Sequence, residues 1–402
     1  MRGVLLVLVA VLILIGLAVT LWVSGTGRMP AQALAGPASY VGSESCRQCH
    51  ERIYAGWQQT LHALIIQDVS KKPQAIQGDW TQPYENRTFT QADVRLTHGV
   101  QWKQRYIDKD WHILPAQWIF ESGKWGPTPG DPKKYLETNW IESCAQCHVV
   151  GYSTETKTWQ ELGIGCEACH GPGSRHVQAP AEQRAGTIIN PASLPFDYSA
   201  STCGQCHTRG KSPDGKYEYP VGFRPGDILT TQHFQVVPKE NKDAWWPDGS
   251  VKQHRQQYPD WKESKHARAG VTCATCHTVH EAATKFATRV SANNLCVNCH
   301  STVSTDSVTG HAPIAGAPQH SNCIGCHMAP AGKSGERGDE RVHTFKVVKP
   351  AVTVELGGGD VNKQPNACNL CHWHAGDRPA DLQKALDEGA KRREAPAPGP
   401  TS

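Results

Sequence analysis

The sequence predicts a mainly α chain with little regular structure, folded around bound groups rather than around an apolar core of its own. Three observations predict it. Only 38% of the 402 residues are apolar, too few to fill the centre of a globule this long. The 37 glycines and 27 prolines break up helices and strands along the whole chain. All 16 cysteines fall in Cys-x-x-Cys pairs, each followed directly by a histidine.

These eight sets carry most of the information. In chain order, motifs one to four are Cys46, Cys49 and His50; Cys144, Cys147 and His148; Cys166, Cys169 and His170; Cys203, Cys206 and His207. Motifs five to eight are Cys273, Cys276 and His277; Cys296, Cys299 and His300; Cys323, Cys326 and His327; Cys368, Cys371 and His372. Cys-x-x-Cys-His is the attachment signature of haem c. Two thiols add to the vinyl groups of one haem, and the adjacent imidazole reaches the iron. Zinc ribbons also use Cys-x-x-Cys half-sites, but zinc does not require histidine at the next position. Disulfides have no use for the trailing histidines either. The expected cofactor is therefore haem c, eight copies, covalently attached. The fold expected is a multihaem cytochrome wrapped around a closely packed haem chain, whose flat apolar rings replace the missing core.

Charge argues against a nucleic-acid partner. The formal net charge is +4, but eight haems bring two propionates each, about −16 in all if ionised. The loaded protein is then acidic.

The far side of each iron takes methionine or histidine. Methionine occurs only as Met1, Met29 and Met328, and Met328 directly follows His327, so it cannot cross to the opposite face. Histidine remains, and twelve of the 20 lie outside the motifs. His62 and His266 sit in a repeated Trp-x4-His-Ala element, Trp57 to Ala63 and Trp261 to Ala267. His176 follows motif three. His280 lies three residues after His277 and shares a helical face with it, which aims it at a neighbouring haem. His311, His343, His254 and His320 complete the expected set, with His233 as a further candidate. His98, His112 and His374 read as surface residues. No catalytic residue is assigned.

Four regions are expected. Residues 1–30 form a membrane anchor or signal. Val4 to Val23 are apolar apart from Gly16 and Thr20, enough for one membrane span, and Arg2 places the N-terminus in the cytoplasm. The competing reading is a cleaved signal ending near Ala33-Leu34-Ala35. Residues 31–215 form the first haem region, carrying motifs one to four and a small tryptophan-rich β-hairpin insert near residues 80–120. Residues 216–375 carry motifs five to eight. Residues 376–402 form a partly disordered tail. Gly163-Ile164-Gly165-Cys166 and Gly270-Val271-Thr272-Cys273 repeat the same approach to a motif.

The motifs and their flanks resemble the exported multihaem cytochrome c superfamily, which includes cytochrome c-554-like carriers and hydroxylamine oxidoreductase-like enzymes. The resemblance rests on Tyr40-Val41-Gly42-Ser43-Glu44-Ser45-Cys46, Trp57-x4-His62-Ala63, Cys166-Glu167-Ala168-Cys169-His170-Gly171-Pro172-Gly173-Ser174, Arg224-Pro225-Gly226-Asp227, Cys326-His327-Met328-Ala329-Pro330 and Pro365-Asn366-Ala367-Cys368-Asn369. It implies distal ligands at His62, His176, His280, His311 and His343. The place of His266 often holds methionine in relatives. Nitrite-reducing relatives often bind their catalytic haem through Cys-x-x-Cys-Lys, which this chain lacks. The function expected is electron transfer through mostly bis-histidine haems between redox partner proteins outside the cytoplasm. The location is the outer side of the cytoplasmic membrane, anchored, or the periplasm after signal cleavage. A homo- or hetero-oligomer fits equally. Two alternatives remain: an oxidoreductase acting on a small nitrogen or sulfur compound at one open haem, and a quinol dehydrogenase working through the N-terminal helix.

Overall fold

The computed structural model describes residues 37–137, 139–284, 286–301, 323–371 and 374–394. The apolar segment Val4 to Val23 and the candidate ligands His311, His320 and His372 lie outside the described residues. Among the described residues no helix is long and apolar enough to cross a membrane.

The expectation of a mainly α chain is corrected. The chain is 33% helical and 13% strand, no more helical than an ordinary soluble domain. Helices are short because each motif needs only about one turn to set its cysteines three residues apart on one side. Ala145–His148, Glu167–His170 and Cys273–Cys276 are such turns. The first motif lies in a longer helix, Glu44–Trp57, which bends at His50 (φ −119°, ψ 38°). The C-terminal helix Pro379–Glu394 is the longest among the described residues, at 16 residues.

The insert is also larger than a hairpin near residues 80–120. It is a five-stranded antiparallel sheet of β1 (Ile66–Asp68), β2 (Leu96–His98), β3 (Lys103–Ile107), β4 (Ala116–Ile119) and β5 (Lys124–Pro127), in that spatial order. Leu96 pairs with Ile107 and Trp118 with Trp125. One face packs Phe89, Tyr106, Trp118 and Trp125 with Trp80. Trp80 meets Trp125 edge to face at 5.0 Å, and Arg87 stacks on both rings at 5.2 and 5.1 Å. Each such ring pair adds about 1 kcal/mol beyond the area it buries. The sheet therefore has a core of its own and needs no bound group. Elsewhere the buried apolar residues form small separate clusters, such as Ala200, Tyr258, Trp261 and Ala267.

The two sequence echoes meet each other in space, twice. Trp57 Nε1 donates to the Ile164 carbonyl at 3.0 Å, and Trp261 Nε1 donates to the Val271 carbonyl at 3.0 Å. The Ile164 and Val271 amides return bonds to the His62 and His266 carbonyls, each at 3.0 Å. Thr60 and Ser264 cap the short histidine-bearing helices, accepting from the Ala63 and Ala267 amides. Gly163 turns with φ +84°, and a Cβ there would stand 2.9 Å from the Ala63 carbonyl oxygen. Each echo thus fixes one histidine against the approach to one motif.

A buried carboxylate joins motifs one and three. Glu167, fully buried, accepts from the Val41, Gly42 and Gly173 amides at 3.0, 2.7 and 2.6 Å. This explains the run Tyr40 to Cys46 and the run Cys166 to Ser174 as one structural unit. Glu167→Ala strands three amide donors, so it should destabilise the loaded protein by about 3 kcal/mol or more. Thermal unfolding checks this, against a Glu167→Gln variant that should lose less.

Candidate functional site

All 16 cysteines are free of disulfides. Their thiols meet across motifs instead. Cys46 of motif one lies within hydrogen-bonding reach of Cys166 of motif three. Cys147 and Cys206 join motifs two and four in the same way, Cys203 and Cys273 join four and five, and Cys296 and Cys323 join six and seven. Cys169 and Cys206, Cys276 and Cys299, and Cys326 with Cys368 and Cys371 are near enough to act on one another electrostatically. The motifs therefore adjoin in the order one, three, four, five, six, seven, eight, with motif two attached at motif four.

Most of these motifs open on one shared cavity of about 2640 Å³, well beyond the roughly 300–1,000 Å³ of a single small-molecule site. His62, His148, His207, His266, His277, His300, His327 and His343 line it.

Histidines pair with one another, three pairs within this space and two outside it. An imidazole nitrogen binds a metal at about 2 Å and lies about 1 Å from its ring centre, so imidazoles on opposite sides of one metal have centres about 6 Å apart. Five described pairs have this spacing. His50 faces His176 at 6.2 Å, His170 faces His280 at 6.1 Å, and His277 faces His343 at 6.3 Å, all nearly parallel. His207 faces His62 at 6.4 Å and His300 faces His266 at 5.9 Å, more steeply inclined. In every pair one ring belongs to a motif and the other comes from a different stretch of chain.

The opposite ring nitrogens are held by carbonyls. His170 Nδ1 bonds the Ile189 carbonyl at 2.7 Å, His176 that of Arg184 at 3.1 Å, His277 that of Phe286 at 3.1 Å, His327 that of Phe345 at 3.0 Å and His343 that of Arg341 at 3.0 Å. A carbonyl only accepts, so Nδ1 carries the proton and Nε2 is left bare for a metal. Burial disfavours the charged form of His62, His170, His207, His277 and His343, and a ligand must be neutral. Burial holds His62 and His343 down to about 4. Free thiols in Cys-x-x-Cys-His turns, bare Nε2 atoms and metal-width ring pairs together fit covalently attached haem.

Motif two differs. His98 stands 4.3 Å from His148, ring to ring at 60°, too close for a metal between them. Trp140 Nε1 donates to His98 Nδ1 at 3.3 Å, and an indole only donates, so the neutral His98 ring carries its proton on Nε2. Sequence reasoning placed His98 on the surface. The signal it lacked was that β2 pairs with β3 and turns His98 inward.

The remaining histidines sit as follows. His254 is enclosed by Lys103, Arg105, Arg209 and Arg255, and no ring contact joins it to a motif histidine among the described residues. His112 bonds Asp108 at 3.0 Å and His374 bonds Asp377 at 2.8 Å. His233 lies against Phe223 and Thr230.

Comparison with known proteins gives matches at several points. The family described as Cytochrome c554 and c-prime matches residues 45–94 and 125–171, and the Doubled CXXCH motif family matches 266–305. Multiheme cytochrome MtrA of Shewanella baltica is 27% identical over 210 residues, covering 45% of this chain and 60% of that protein. Cytochrome c nitrite reductase subunit NrfA of Nitratidesulfovibrio vulgaris is 29% identical over 136 residues, covering 28% and 26%. The chain thus matches between about a quarter and three-fifths of the length of these curated relatives. Among solved structures, Outer Cell Wall Cytochrome OcwA superposes with a TM-score of 0.70 at 26% identity, covering 87% of this chain and 86% of that one.

The ring pairs make a spectroscopic prediction. His343→Ala should leave every thioether in place and convert one low-spin haem to a high-spin form that binds carbon monoxide when reduced. An unchanged spectrum would separate His343 from any iron.

Proposed function

We propose that this chain, which is similar to multihaem c-type cytochromes, carries electrons outside the cytoplasm through eight haems, most of them held by two histidines. Eight is the number of Cys-x-x-Cys-His motifs. The observation that supports the reading best is the continuity of the motifs, which adjoin in the order one, three, four, five, six, seven, eight, with motif two attached at motif four. Bound haem iron supplies one-electron oxidation and reduction. The chain's own residues hold the rings and orient the imidazoles through their Nδ1–carbonyl bonds.

The ligand assignments proposed are His50 with His176, His170 with His280, His207 with His62, His277 with His343 and His300 with His266, on the ring spacing above. His311, His320 and His254 remain candidates for the other irons. Histidine pairs, in place of the Met/His pairing that raises potentials, keep the whole set low. Two haem regions, 31–215 and 216–375, with the tail 376–402, complete the proposed organisation.

The location and partners proposed rest on the relatives. OcwA is described as an outer cell wall cytochrome. Residues 4–23 direct this chain across the membrane, as an anchor or a cleaved signal. Its partners are then redox proteins that donate at one end of the motif row and accept at the other.

One observation favours a second reading. No described histidine faces His148 at metal-spanning distance, and NrfA, a nitrite reductase subunit by its name, is among the relatives. An open iron at motif two would suit reduction of a small nitrogen or sulfur compound.

Two measurements test the proposal. Intact mass after extraction of loose haem should exceed that of the polypeptide by eight haem units. Stepwise reduction should give overlapping low-potential transitions, with negligible turnover of nitrite, hydroxylamine or sulfite. Enzymatic rates with any of these would favour the second reading.

A further inference from the structure

Four cationic side chains converge between motifs two and four, where few anions answer them. Lys103 and Arg105 come from β3, Arg209 lies two residues after His207, and Arg255 follows His254. Arg105 and Arg255 both act on Cys144 and His148 of motif two. Arg255 also acts on Cys206 and His207 of motif four. Arg209 feels both of the other arginines.

The acids nearby do not balance them. Glu218 reaches Arg255 at 3.4 Å from a half-exposed position. Asp339 is engaged by the Ser334, Gly335 and Glu336 amides. Glu340 accepts from Gln257 at 2.8 Å, and burial pushes its carboxyl up to about 7. Meanwhile the Nε atoms of Arg209 and Arg255 are buried without any hydrogen-bond partner. Arg255 even holds φ +66°, a conformation non-glycine residues rarely adopt. Guanidinium groups with a buried, unpartnered Nε match carboxylates, which they bind two bonds at a time.

We propose that this cluster seats the carboxylates of the haem on motif two, shared with those of motif four, and sets that pair apart electrically from the rest of the row. The inference rests on the haem reading above. Cations beside a haem disfavour the more positive, oxidised iron, so they raise its reduction potential. Motif two adjoins motif four alone among the described thiol contacts. It is therefore a side branch that holds electrons, off the through-route.

The test uses full-length, haem-loaded protein. In Arg255→Gln and, separately, Arg209→Gln, the haem mass should stay at the native value. Up to two of the eight reduction steps should move to lower potential while the others stay. Arg255→Lys, which keeps the charge, should leave the steps near their native positions. If one glutamine variant fails to mature, the other carries the test. No shift in either variant overturns the proposal. So does a second outcome: nitrite perturbing the native spectrum, with Arg255→Gln abolishing that response and leaving every potential in place, because the cluster then serves an external anion. A native mass lacking the haem of motif two would instead overturn the eight-haem reading, and this inference with it.

Discussion

Pairs of imidazoles facing each other across the width of one metal tie distant stretches of this chain together. His176 reaches back from beyond motif three to motif one, and His280 reaches back from beyond motif five to motif three. His62 reaches forward from motif one to motif four. His343 reaches back to motif five across its own motif seven. Each pair closes a long loop, and loop closure is the entropic cost a chain with a thin apolar core is least able to meet. On the proposed ligation, the covalent and axial bonds of haem supply what burial elsewhere does not. The local hydrogen bonds serve this purpose: the Trp57 and Trp261 bonds, the Thr60 and Ser264 caps and the Nδ1–carbonyl bonds all fix an imidazole before any metal arrives.

The site was largely legible in the sequence, because haem attachment is a local code. Cys-x-x-Cys-His is read from five consecutive residues, and the Trp-x4-His-Ala element carries its own cap and its own tryptophan donor. The fold was much less legible. Helix was overestimated because each motif needs only one turn, and a single turn does not propagate. The sheet was underestimated because β1 and β2 are three residues each and pair across 27 intervening positions, a register no local pattern announces. β4 is buried on both faces along Ala116–Ile119, so it lacks the alternation that marks a half-buried strand. His98 was misread for the same reason. Its burial depends on the partner strand, not on its neighbours in sequence.

Motif two is where sequence logic and geometry part. Its proximal histidine crowds His98, and the cations of Arg105 and Arg255 act on it. A protein relaxes such a site by recruiting anions or by leaving groups uncharged. Burial holds Lys103 down to about 7, which engages the second remedy in part, while Glu340, pushed up to about 7, supplies less negative charge. Elsewhere in the row, burial disfavours the charged form of His170, His277 and His343. The molecule thus combines a uniform line of motifs with one electrically distinct branch.

The account stands or falls on the ligand pairs. Low-temperature magnetic circular dichroism and electron paramagnetic resonance of the oxidised native protein count haems by axial ligand. The account predicts at least five low-spin haems with two imidazoles each, and no Met/His signature. A spectrum dominated by high-spin iron, or by Met/His ligation, would contradict it.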